Sequence, residues 1–255
     1  MSRLRTTLWV LVAVAGASGL ALMGTAAIQW MTPVRSVVAE PPATQPPAGP
    51  TLGDDDDPAS AQRQPGSSIV HLADPTWVRE TATTAGIPER SMAAYAGAAL
   101  AVQQRQPQCG LGWNTLAAIG HVESEHGTID GSALDPDGVA SPAIIGVALD
   151  GDGVDAIRDT DDGELDGDPE WDRAIGPMQF IPATWELFAS DGNGDGITDP
   201  HQIDDSALAA ALYLCSVSGT VADDASWIAA IGAYNSSIDY NHRVAAAATH
   251  FATLP

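Results

Sequence analysis

The chain has 255 residues, with 10 Lys+Arg against 33 Asp+Glu and a formal net charge of −23. So acidic a chain has no basic stripe for nucleic-acid phosphates and no folded face suited to an anionic lipid surface, which sets both aside as partners. Hydrophobic residues make up 45% and aromatic ones only 5%. Much of the apolar content is Ala, which predicts a mainly α-helical fold with closely packed helices rather than sheet. Two cysteines exclude a disulfide-dense mini-fold and a cysteine-rich zinc site.

Residues 8–31 carry no charge and follow Arg3 and Arg5. The run is long enough to span a bilayer, and the preceding arginines keep the N-terminus inside and send the rest of the chain out. Residues 1–32 are read as a transmembrane signal anchor. The competing reading is a signal peptide cut at the small residues Thr25, Ala26 and Ala27. Both export the remainder, either membrane-anchored or secreted. Outside the cytoplasm a lone pair of cysteines tends to oxidise, so Cys109 and Cys215 are expected to form a disulfide rather than stay buried thiols.

Residues 33–66 are rich in Pro, Ala and Gly, with a run at Asp54–Asp57 and few large apolar side chains. They cannot bury enough surface to fold and are read as a disordered, extended tether. The folded domain is expected over 67–255. Pro88 opens a first helix, with Met92, Tyr95, Ala96, Ala99 and Val102 at helical spacing. A second helix covers 113–125. A stretch rich in Asp, Gly and Pro fills 127–172 without a clear helix, and an insertion of that length is expected to wall a cleft. Pro182 opens a third helix bearing Trp185 and Phe188, and 205–217 form a fourth. Asp224 caps a fifth carrying Trp227, Ile228 and Ile231, and 240–251 form a sixth. No convincing strand alternation is evident, although residues 144–149 could form a short hairpin or dock on the core.

The second helix carries the most informative residue. Leu116, Ile119 and Gly120 define its apolar stripe, and Glu123 follows Ile119 by one helical turn, on the same face. A carboxyl desolvated against apolar side chains has a raised pKa and can serve as a general acid near neutrality. The alternative is a helix-end Glu in an ion pair, in a sequence with few Arg. Asp191, Asn193 and Asp195, followed by Gly196, match the opening of an EF-hand loop, whose oxygen ligands suit a hard cation.

Three segments together carry a family resemblance. Glu123-Ser124-Glu125-His126-Gly127 resembles the E-S-x-x-G signature of lysozyme-like lytic transglycosylases. Gly176-Pro177-Met178-Gln179-Phe180-Ile181-Pro182 is similar to their G-x-x-Q-F-x-P element, and Ala233-Tyr234-Asn235 to their A/S-Y-N element. Order and separation agree, and the matching region runs over 87–254. The group most resembled is the membrane-bound lytic transglycosylase B type in its actinobacterial form.

The resemblance implies a lysozyme-like helical domain with a long acidic insertion and an EF-hand-like loop. It implies cleavage of peptidoglycan glycan strands with Glu123 as the single catalytic acid and base. Ser124, Met178, Gln179, Phe180, Tyr234 and Asn235 would contact substrate. Calcium would be held by Asp191, Asn193, Asp195, the Ile197 carbonyl and a late closing Asp205, with no organic cofactor. Two rivals stand beside this reading. A hydrolytic muramidase would need a second carboxylate, for which Asp155, Asp166 and Asp172 are available. A non-catalytic, calcium-stabilised wall-binding module would not need Glu123.

Overall fold

A computed structural model describes residues 67–254. The expected anchor and tether lie outside the described residues. Among those described, no helix is long and apolar enough to cross a membrane. The domain is mainly helical: α1 (Pro75–Ala85), α2 (Glu89–Arg105), α3 (Trp113–Ser124), α4 (Pro182–Phe188), α5 (Ile203–Ser218), α6 (Asp224–Tyr234) and α7 (Ile238–Ala252).

The core is built on two Ala-rich helices. α2 buries Ala94, Ala96, Ala98 and Ala99 around Met92 and Tyr95, and α5 buries Ala207, Ala209, Ala210 and Ala211. Small side chains let these two helices pack directly on each other. α3 packs against α2 on one side and α7 on another. Its residues from Trp113 to Gly120 are all buried. Gly120 is required there, because a β-carbon would collide with the Tyr95 hydroxyl of α2.

Cys109 and Cys215 form a disulfide across 106 residues, with Cα atoms 5.5 Å apart. The bridge joins the segment leading into α3 to the buried face of α5.

α1 precedes the helices expected from the sequence. Its boundary signals were nevertheless present: Asp74 accepts from the Thr76 and Trp77 amides at 2.9 and 2.8 Å, Pro75 opens the helix, and Gly86 closes it at φ 68°. The β-branched content of Pro75–Ala85 masked the apolar pattern. Two smaller corrections concern α6. Asp223, not Asp224, supplies its N-cap, and Ile228 faces outward, 40% exposed.

Short strands are present where no alternation was evident, and one of them falls in the 144–149 stretch read as able to form a hairpin. Ala133–Leu134 (β1) pairs with Ala140–Ser141 (β2), and Ile145–Ala148 (β3) pairs with Arg173–Ile175 (β4), both antiparallel. Beyond β3 and β4 the acidic insertion continues as a ribbon. Leu149 N–H donates to Asp172 O at 3.0 Å, and bridges follow at Asp150–Ala156 and Arg158–Trp171. Its strands are too short, and too broken by Gly and Asp, to show period-two alternation.

Candidate active site

Glu123 sits on the last turn of α3 and lines a cavity of about 780 Å³. The acidic ribbon supplies one wall through Leu149, Val154, Asp155 and Ile157. The Gln179 segment and the end of α6 supply the rest, through Phe180, Tyr234 and Asn235. Three sequence-distant motifs therefore meet at one carboxyl, and the insertion walls the cleft as its length suggested.

Burial pushes the Glu123 carboxyl up to about 7, against the opposing pull of a hydrogen bond from Tyr240 and the charge of Arg243. The Tyr240 hydroxyl donates to Glu123 Oε1 at 2.6 Å. Burial first, and the Glu123 charge second, raise the Tyr240 phenol, so it stays a donor. Tyr240 was absent from the residues picked out in the sequence. Its only signal was position, one turn into a helix capped by Ser237, close after the Tyr234-Asn235 element.

The chain beyond Glu123 turns sharply. Glu125, His126 and Gly127 all have left-handed backbones, with φ of 51°, 64° and 87°. The turn is held by His126 N–H donating to Gly120 O at 2.9 Å and by Gly127 N–H donating to Ser124 Oγ at 2.8 Å. Left-handed geometry is costly at the two non-glycine positions, and such strain gathers at sites where the surroundings over-determine it.

Two of the residues expected at the substrate, Ser124 and Met178, do not line the cavity. Ser124 is fully buried, and its hydroxyl donates to Pro177 O at 2.6 Å while accepting from Gly127. Met178 is fully buried as well, and its carbonyl accepts from the Tyr234 hydroxyl at 2.7 Å. Neither lines the cavity, because both are spent on joining its walls. Tyr234 presents its ring edge-on to Phe180, 6.0 Å between centroids, with its hydroxyl committed to that carbonyl.

Gln179 adopts φ 49° and anchors its amide nitrogen on Gly176 O at 3.0 Å, which leaves Oε1 as an acceptor beside the cleft. Gly176 at φ 75° lies so close under the Pro200 carbonyl that no β-carbon fits. Asn235 is exposed at the rim, its Oδ1 accepting from Ser237 N–H at 2.9 Å.

The proposed cation ligands are gathered at one loop. Asp205, at the start of α5, accepts from the amides of Gly192, Asn193 and Asp199 at 2.7, 3.2 and 2.9 Å. Asp191 accepts from Gly194 and Gly196, and Asp195 from Ile197. Burial raises the Asp205 carboxyl to about 6, with the Asp191 charge adding to the rise against the three amides.

A second oxygen-rich cluster lies in the ribbon. Asp159, Asp161 and Asp172 bring carboxylate oxygens within 4.8 Å of one another. Asp172 is fully buried and takes the Thr160 amide and hydroxyl, and Asp166 takes the amides of Asp168 and Arg173. Of the three aspartates considered as a second catalytic carboxylate, only Asp155 reaches the Glu123 cavity.

Comparison with models of known protein families, with characterised proteins and with solved structures returns no match.

Proposed function

We propose that this protein is a peptidoglycan lytic transglycosylase with a lysozyme-like catalytic domain. The observation that carries the reading is Glu123: one carboxyl, desolvated to about 7, at the meeting point of the three motif segments in a cavity of about 780 Å³. In the proposed reaction Glu123 donates its proton to the glycosidic oxygen between MurNAc and GlcNAc as the C1–O bond breaks. The substrate's N-acetyl group stabilises the positive charge at C1. The Glu123 carboxylate then takes the proton of the MurNAc C6 hydroxyl, whose oxygen bonds to C1 and closes a 1,6-anhydro ring. The proton count balances on one residue, and no water is consumed.

Tyr240 orients the acid, and the Phe180 and Tyr234 rings line the sugar path. Gln179 Oε1 and the Asn235 amide are the polar groups available to the N-acetyl and hydroxyl groups. The substrate is the wall glycan, which suits the expected export of the domain.

Calcium is proposed as a structural ion of the Asp191–Asp205 loop. Carboxylates and an amide oxygen are the donors that such a cation prefers, and relief of the buried Asp205 charge would favour its binding. Asp191, Asn193, Asp195, the Ile197 carbonyl and Asp205 would hold it, apart from the bond-breaking chemistry.

The specific observation favouring a second reading, a hydrolytic muramidase, is Asp155 in the Glu123 cavity, where it would activate water. Mass analysis of the digest of purified glycan separates the two: the transglycosylase leaves ends one water lighter than hydrolysis does. Reducing ends alone would reject the proposed reaction, and no cleavage at all would favour the wall-binding module.

A further inference from the structure

Glu125 and His126 place two successive left-handed residues, at φ 51° and 64°, just behind Glu123. Of the three left-handed residues in this turn only Gly127 adopts the conformation without cost, so contacts must hold the other two. Glu125 is exposed, whereas His126 is 6% exposed and bound from three helices. From α2, Ser91 Oγ donates to its carbonyl at 2.9 Å, and the Tyr95 hydroxyl meets its Nδ1 at 3.3 Å. From α3, Gly120 O accepts its amide at 2.9 Å, and the His121 ring centroid lies 5.4 Å away. From α7, the Phe251 ring lies tilted against it at 6.0 Å between centroids. Histidine is also one of the few non-glycine residues enriched in left-handed backbone.

The Tyr95 contact is built in from both sides. Tyr95 is fully buried, and its hydroxyl occupies the space that Gly120 of α3 leaves by lacking a β-carbon. Burial keeps the phenol protonated, while burial and the neighbouring His121 hold the His126 imidazole down to about 4, so the ring is neutral. The phenol proton is therefore given to Nδ1. Gly120 thus serves the turn twice, with its carbonyl on the His126 amide and with the room it leaves for Tyr95.

We infer that His126, clamped by Tyr95, is a positioning residue for Glu123: it fixes the left-handed turn behind the carboxyl and so holds that carboxyl at its buried depth on the cavity edge. His126 does not line the Glu123 cavity and makes no contact with the chemistry. Only the consequence for cleavage rests on the proposed function. The placement of the carboxyl does not.

The test is Tyr95→Phe, which removes one hydroxyl and leaves the backbone bonds of the turn in place. Its readout is the titration of the Glu123 carboxyl by carbon NMR of the labelled full chain, with the signal assigned by its loss in Glu123→Gln. Wild type should titrate near 7. In Tyr95→Phe water reaches the loosened turn, and the midpoint should fall toward the usual carboxylate range. The titratable and charged groups that act on Glu123 are Tyr240 and Arg243 of α7, with Tyr234 of α6 coupled to its charge. Tyr95 is not among them, so the fall is carried by the turn. His126→Asn keeps an acceptor near the Nδ1 position and enters left-handed backbone, so it should stay close to wild type. His126→Leu offers neither and should follow Tyr95→Phe. An unchanged Glu123 midpoint in Tyr95→Phe overturns the inference, as does a fall in His126→Asn equal to that in His126→Leu.

Kinetics on purified wall glycan form the second arm. Tyr95→Phe should lose about tenfold in kcat with KM unchanged, and the alkaline limb of its pH–rate profile should move to lower pH. A loss of stability alone would leave that limb in place and would overturn the positioning role. If wild type cuts no glycan, the proposed function fails while the NMR titration still judges the turn. If wild type cuts and the Tyr95→Phe midpoint is unchanged, the positioning inference fails alone.

Discussion

Glu123 and Asp205 are both carboxyls at helix ends, both desolvated, and both held well above the usual carboxylate range, to about 7 and about 6. Their surroundings differ. Asp205 is enclosed by three backbone amides and pins a loop to α5. Glu123 has one protein hydrogen bond, from the Tyr240 hydroxyl, and otherwise meets a cavity. Burial alone therefore does not make a proton donor. A carboxyl whose oxygens are occupied by amides is an anchor, and one left with a free oxygen toward a cleft is available for the acid role proposed for Glu123. The Cys109–Cys215 bridge ties the two settings together, because one half-cystine precedes α3 and the other lies on α5.

The largest expected effect is at the acid. Glu123→Gln should lower cleavage of glycan by about 10²–10⁴-fold, whereas Asp205→Asn should act mainly on stability. A variant retaining more than about a hundredth of wild-type turnover would remove Glu123 from the chemistry. Stability should move the other way. The folded state keeps the Glu123 proton to about pH 7 and the unfolded chain releases it near 4.5, so the folded state binds more protons between them. Wild-type stability thus falls as pH rises through that window. Glu123→Gln, which does not titrate, should be more stable than wild type above pH 7 by about 1–3 kcal/mol, with no such gain in acid. Paired denaturant melts at pH 4 and pH 8 give the answer.

Breaking the tie between the two settings comes next. Cys215→Ser should cost about 2–5 kcal/mol of stability, with a smaller loss of activity, read by thermal melts and a cleavage assay on the same preparation. An unchanged melting point would separate the bridge from the stability of either helix.

On the Asp205 side, calcium should raise the melting point of metal-stripped protein and chelator should lower it. At a hundredfold excess over the dissociation constant the gain is about 2.7 kcal/mol. Coincident melts with and without the ion would leave Asp205 an anchor for amides alone.

The smallest effect is expected at Tyr240. Tyr240→Phe should reduce turnover by about three- to tenfold and move the alkaline limb of the pH–rate profile to higher pH, because its hydroxyl pulls the Glu123 pKa down. A purely structural role for Tyr240 would lower the rate without moving that limb.

Much of this comparison was legible in the sequence. The turn-spaced stripe of Leu116, Ile119 and Glu123 placed the carboxyl on the inner face, and six helices followed from capping residues and apolar spacing. The loop spacing gathered Asp191, Asn193 and Asp195. What escaped was set by contacts between distant segments. Tyr240 meets Glu123 across 117 residues, a partnership without local signature. Ser124 and Met178 belong to the segments that meet at the cavity, yet face inward because those segments must be joined as well as filled. The ribbon over 145–175 is held by paired backbone and Asp–amide bonds rather than by an apolar face, so no periodicity announced it.

Ser124 turns this into a statement about sequence space. Its hydroxyl gives one hydrogen bond to Pro177 and takes one from Gly127, in a fully buried position between the two cleft walls. Alanine would leave the Pro177 carbonyl without its donor, while the Gly127 amide would keep only the Ser124 backbone carbonyl at 3.1 Å; threonine would add a methyl group where no surface is exposed, and cysteine would offer only a weak donor and acceptor. Of the twenty side chains, serine alone meets both the volume and the pair of bonds. The position is therefore expected to tolerate almost no exchange, although it does not line the cavity. A saturation library selected for folding alone should return serine there as firmly as one selected for cleavage.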